Sequence, residues 1–123
     1  MDVLIVESSA ELAHLWQRHL VRQGATVTIA TSGDAAVDHL TENAFDVIIL
    51  DLVLTRGSAL AVADYAQFRL PDSSVIFVTD TTFFSDGSIF ALNANARALV
   101  QTSTPPEDLA AIVAHYGRAG HGM

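Results

Sequence analysis

The chain has no cysteine, which excludes a disulfide framework, a thiolate metal site and a thiol nucleophile. It has no lysine either, because its six basic residues are all arginine: Arg18, Arg22, Arg56, Arg69, Arg97 and Arg118. Schiff-base chemistry, a P-loop and an ammonium contact to a phosphoryl group are therefore out of reach. The formal charge of −8 disfavours nucleic acid and anionic membrane as partners, since both are bound largely through Lys and Arg contacts to phosphate. Long apolar runs are missing as well. The first run, Val3 to Val6, lies between Asp2 and Glu7, too short and wrongly flanked for a signal peptide or a membrane span. A soluble protein in a reducing cytoplasm is expected.

What remains is 123 residues, half of them apolar, enough to bury a sizeable core without cross-links. One domain over residues 1–123 is expected, with its core in 2–116 and a frayed tail at 117–123. Its organising stretch is Phe45 to Leu54, FDVIILDLVL, where apolar β-formers end in a single carboxylate, Asp51. Val47 to Leu50 leave no alternation for a solvated face, the pattern of a central parallel strand buried on both sides. Asp51 then stands at the carboxyl end of that strand, where open parallel sheets bind ligands in the crevice left by the turning chain. The bland alternative is an Asp that only starts a turn.

Asp2 to Val6 repeats this pattern and ends in Glu7. Ser8 is placed to cap the next helix, with Glu11 completing a capping box and Leu12, Leu15, Trp16 and His19 on one face; Gly24 ends it. His19 on such a stripe is a boundary histidine rather than a ligand. Thr26 to Ala30 is a second strand, and Thr31 to Asp34 open a second helix with Ala36, Val37 and Leu40 at core spacing. After the central strand come a loop at Thr55 to Ser58, a third helix at Ala59 to Phe68, a break at Pro71-Asp72 and a fourth buried strand, Ser74 to Thr79. Thr81 to Ala94 predicts a short helix delayed or broken at Ser85 to Ser88, with Asn95 as a left-handed cap. A weaker fifth strand, Arg97 to Gln101, precedes a last helix capped by Ser103 or Thr104, with Pro105 and Pro106 in its first turn. Strand and helix thus alternate throughout, which predicts a parallel five-stranded sheet with helices on both faces.

With its elements laid out, the chain resembles the receiver domain of bacterial two-component response regulators from Asp2 to about Tyr116. Three motifs carry the match: LIVES at Leu4 to Ser8, DVIILDLVL at Asp46 to Leu54, and VIFVTD at Val75 to Asp80. The resemblance implies a flavodoxin-like, doubly wound (βα)5 fold with strand order 2-1-3-4-5, an order that belongs to the family. It also implies phosphoryl transfer to Asp51 from a sensor histidine kinase or a phosphotransfer protein, assisted by Mg²⁺. On the family's pattern Asp51 is the phosphoacceptor and a metal ligand, and Glu7 is the first of an acidic pair. Val53 offers its backbone carbonyl to the metal, and Thr79 supplies the hydroxyl that bonds a phosphoryl oxygen.

The departures from that pattern are as specific as the matches. The second acid of the pair is Ser8, the lysine that ends the fifth strand is Thr102, and the proline that usually follows it is Ser103. The aromatic of the fifth strand is Leu99, and the proline of the loop after the phosphoacceptor is Thr55. Asp80 adds a carboxylate where the family prefers a small residue. Mg²⁺ is therefore expected to bind weakly or not at all. Two functions fit such a degenerate receiver, neither of them an enzyme's. One is a stand-alone relay protein slowly phosphorylated on Asp51, and the other a pseudo-receiver that acts through its surface alone. A small flavodoxin-like enzyme or flavin carrier fits less well, because Ser8-Ser9-Ala10-Glu11 reads as a capping box and not as a phosphate loop. Phe83, Phe84, Ile89 and Phe90 read as core, while residues 83–116 also suit a homodimer or downstream-partner surface.

Overall fold

The computed structural model describes residues 1–80 and 95–120. Among them lie five strands, β1 (Asp2–Val6), β2 (Thr26–Ala30), β3 (Val47–Asp51), β4 (Ser74–Thr79) and β5 (Ala96–Gln101). Four helices join them, α1 (Ala10–Arg22), α2 (Gly33–Glu42), α3 (Ala59–Arg69) and α4 (Pro106–Gly120). All strands are parallel, in the order β2-β1-β3-β4-β5, as the family resemblance implied. The helix expected between Thr81 and Ala94 lies outside the described residues, as does the 83–94 part of the surface expected over 83–116. No helix among the described residues is long and apolar enough to cross a membrane.

The sheet divides the core in two. Because successive side chains of a strand point to opposite faces, Leu4, Val6, Ile48, Leu50, Val75 and Phe77 face α2 and α3. Val3, Ile5, Val47, Ile49, Ile76 and Val78 face α1 and α4, with Trp16 and Leu20 closing over them. Neither face of β1, β3 or β4 reaches solvent, which is why these runs carry no polar alternation. The edge strands β2 and β5 are only half-buried.

Several local expectations shift. Ser9, not Ser8, caps α1, its hydroxyl accepting the Leu12 N–H at 3.3 Å. The buried stripe of α1 is Ala13, Trp16 and Leu20, displaced from the expected face, and His19 lies half-buried near Glu107. Pro105 occupies the capping position of α4, its carbonyl accepting the Leu109 N–H at 3.0 Å, so no side chain caps that helix. The helix continues to Gly120, past the point where fraying was expected.

At the carboxyl edge three loops are stitched together. The Thr55 N–H donates to Ser8 Oγ at 2.8 Å and the Gly33 N–H to the Arg56 carbonyl at 2.9 Å. Gly57, at φ +97°, packs so closely on Gly33 that a Cβ there would lie 2.9 Å from the Gly33 Cα. Gly57→Ala is expected to destabilise the fold by about 2–4 kcal/mol, because left-handed strain and a backbone clash add. Gly24→Ala, where φ is +94° but the space is open, should cost only about 1 kcal/mol. Urea unfolding of both variants checks this; equal losses would mean that the Gly33–Gly57 contact contributes nothing.

Candidate functional site

The register of the sheet assembles the site. Val6 pairs with Leu50 across β1 and β3, so one step further Glu7 stands beside Asp51. Both continue the face formed by Ile5 and Ile49. Asp51 pairs in turn with Val78 of β4, and Thr79 lies one residue beyond. Glu7, Asp51 and Thr79 therefore share the carboxyl edge of three adjacent strands. Thr79 is buried, and its carbonyl accepts the Thr102 N–H at 2.8 Å, which brings Thr102 to the same edge.

Asp51 ends β3 in a tight turn, with Oδ1 accepting the Val53 N–H at 2.9 Å. Val53 itself is 61% exposed. Glu7 is only 3% exposed, its Oε2 accepting the Ser9 N–H at 3.0 Å while Oε1 has no partner. Burial pushes the Glu7 carboxyl up from its ordinary 4.5 to about 7. The Ser9 N–H works against that rise; Asp51 adds to it by hydrogen bonding and by repulsion, and the Ser8 N–H lowers it slightly. A hydrogen bond between the Glu7 and Asp51 carboxyls requires a proton on one of them. With both ionised, the two like charges repel and Oε1 is left without a donor.

Ser8 turns its hydroxyl to the Thr55 amide, so the position of the missing acid ties two loops. Leu99 packs against the cluster on the α2–α3 side. Asp80 is exposed. Among the described residues no group of three or more His, Asp or Glu is arranged to hold a metal ion. Two features escaped the sequence reading: the Gly33–Gly57 contact and a cleft of about 280 Å³ lined by Ser8, Thr31, Ser32, Thr55 and Arg56. The turn composition Thr55-Arg56-Gly57-Ser58 marked a loop but not what it packs against.

With this geometry in view, comparison with known proteins gives a consistent result. The family model of the response regulator receiver domain matches residues 3–114, and the chain belongs to that family. Over 79 residues it is 28% identical to the transcriptional regulatory protein DltR of Streptococcus agalactiae, a stretch covering 64% of this chain and 35% of DltR. The chain thus matches about a third of that relative's length. A CheY-like receiver domain protein from Methanospirillum hungatei superposes with a TM-score of 0.88 at 22% identity, covering 98% of this chain and 95% of that one. The response regulator TrrA of Thermotoga maritima, solved in complex with Mg²⁺ and BeF, gives 0.81 at 21% identity over 94% and 97% of the two chains. At these identities the structural likeness is one of fold.

The Glu7 shift has a signed consequence. A carboxyl whose folded value exceeds its ordinary one holds its proton longer in the folded chain. Its stabilisation is complete below about 4.5 and is lost as pH rises through about 7. Over that window the loss is at most on the order of 3 kcal/mol. Glu7→Gln should remove this slope and make the protein more stable than the parent at pH 8, since the amide can donate to Asp51. Denaturant midpoints from pH 5 to 8 measure it; parallel curves for parent and variant would contradict the buried carboxyl pair.

Proposed function

We propose that the chain relays a signal by accepting a phosphoryl group on Asp51 from a sensor histidine kinase or a phosphotransfer protein, with Mg²⁺ held weakly. The observation that carries this is Glu7 Oε1, buried without a donor beside a second carboxylate. Such a pair is costly unless a proton or a cation lies between its members. Hard oxygen donors of this kind suit Mg²⁺, which keeps several waters and needs only one or two carboxylates. Glu7 and Asp51 would hold it, with the Val53 carbonyl as a third donor. When bound, it would neutralise charge on the transferring oxygens.

In the transfer an Asp51 carboxylate oxygen forms a bond to phosphorus as the P–N bond of the donor phosphohistidine breaks. The electron pair of that bond stays on the imidazole nitrogen, and an acyl phosphate results. Burying Glu7 beside Asp51 keeps the nucleophile in one place, and the Val53 N–H fixes its Oδ1. Thr79, at the end of the neighbouring strand, is the hydroxyl proposed to meet a phosphoryl oxygen. The fifth strand offers only Thr102 where a fixed cation would help, so transfer should be slow.

The pseudo-receiver alternative draws on Ser8, whose hydroxyl is committed to the Thr55 amide and leaves the metal site one acid short. Incubation with a small acyl phosphate and Mg²⁺, followed by intact mass, separates the two. The parent should gain one phosphoryl group and Asp51→Asn none; a parent without adduct, still folded, would favour the pseudo-receiver.

Mg²⁺ affinity gives an independent check. Ser8→Asp should tighten binding by about tenfold, since hard cations are held by clustered carboxylates. Calorimetry showing tight binding by the parent, or no gain in the variant, would contradict a site short of one acid.

A further inference from the structure

The six arginines are unevenly placed. Arg18 and Arg22 lie on α1, Arg69 at the end of α3 with its guanidinium on the Thr41 carbonyl, Arg97 near the start of β5 and Arg118 late in α4. Parallel strands run toward the site and the helices run back from it, so the ends of α1, α3 and α4 and the start of β5 belong to the far half of the molecule. The sequence from Asp80 to Asn95 contains no basic residue. Among the described loops at the carboxyl edge, Arg56 supplies the one guanidinium.

Its surroundings are polar. The cleft it lines is otherwise walled by the hydroxyl-bearing residues Ser8, Thr31, Ser32 and Thr55. Ser8, where the resemblance places a carboxylate, lines the same cleft as Arg56. Two hydrogen bonds fix the main chain of this loop: the Arg56 carbonyl accepts the Gly33 N–H at 2.9 Å, and the preceding Thr55 N–H donates to Ser8 Oγ at 2.8 Å, while the Arg56 side chain is exposed. Ser8 in turn follows Glu7, whose carboxyl meets Asp51. No ion pair among the described residues engages Arg56.

We propose that Arg56 is the counter-charge of this site. It approaches from the loop after β3, takes phosphoryl oxygens in the cleft beside Ser8 and Thr55, and so does what the absent lysine of the fifth strand cannot. A guanidinium suits the task because its planar fork presents paired donors to phosphate oxygens. The inference rests on Asp51 being the acceptor, and it concerns the binding of the phosphoryl group, not the identity of the nucleophile.

Arg56→Ala tests it cleanly, because the structural bond made by this residue uses the main-chain carbonyl, which alanine keeps. Initial rates of Asp51 phosphorylation by a small acyl phosphate with Mg²⁺ would be measured by intact mass across donor concentrations. Arg56→Ala should lower the rate at limiting donor by about tenfold, and Arg56→Lys should recover most of it. Arg18→Ala, which removes the same charge from the far side, should match the parent. Equal rates for Arg56→Ala and Arg18→Ala would overturn the proposal.

If the parent takes up no phosphoryl group, the transfer reading fails, and Arg56 as a phosphoryl-binding group beside the Asp51 carboxylate is then judged by titration with beryllium fluoride and Mg²⁺ followed by amide NMR. A saturable shift at Ser8, Thr55 and Arg56 that weakens about tenfold in Arg56→Ala supports the counter-charge. No shift, or equal saturation in both proteins, overturns it.

Discussion

The rest of the structure depends on one constraint: β1, β3 and β4 are buried on both faces, so no charged group can stand anywhere along them except at an end. An unpaired charge in that interior would cost several kcal/mol. The register then decides which end residues meet. Val6 beside Leu50 forces Glu7 beside Asp51, whatever the loops do. The functional edge is thus a by-product of core packing, and the helices matter to it chiefly by covering both faces.

Two carboxyls brought together by the sheet repel, and the molecule manages that repulsion in an asymmetric way. Asp51 keeps a main-chain donor at Oδ1 and stays half-exposed. Glu7 is buried beside Asp51, with one oxygen satisfied by the Ser9 N–H and the other without a donor. Glu7 is therefore suited to hold a proton near neutral pH, and a site that waits for a cation tolerates that condition.

Much of this was legible in the sequence, and the parts that were not have a common cause. The strand runs LIV, VIIL and VIFVT have no polar alternation, which declares both their burial and the position of the residue that ends each one. Strand order came from family resemblance, since alternation alone allows several orders. Pairwise contacts between loops left no periodic trace: Ser8 looks like a cap in a Ser8-Ser9-x-Glu11 string, yet Ser9 takes that role and frees Ser8 for Thr55. The Gly33–Gly57 contact was equally silent, because Gly33 reads locally as a helix start and Gly57 as a loop residue. Periodicity reports what faces the core, whereas loop-to-loop contacts depend on three-dimensional register that no single stretch encodes.

The departures at Ser8 and Thr102 also belong together electrostatically. The resemblance gives the site three carboxylates and one ammonium, a formal sum of −2; Glu7 and Asp51, with no charge from Ser8 or Thr102, give the same −2 before the exposed Asp80 is counted. Losing only the ammonium would have left three acids crowded at one sheet edge, raising the repulsion already felt by Glu7. Losing only the acid would have left a cation facing fewer partners. Under the proposed transfer, the cost of the paired loss falls on the transition state, where metal and ammonium would both stabilise developing charge. Such a chain would keep its fold while giving up rate, unless some other cation comes to the edge.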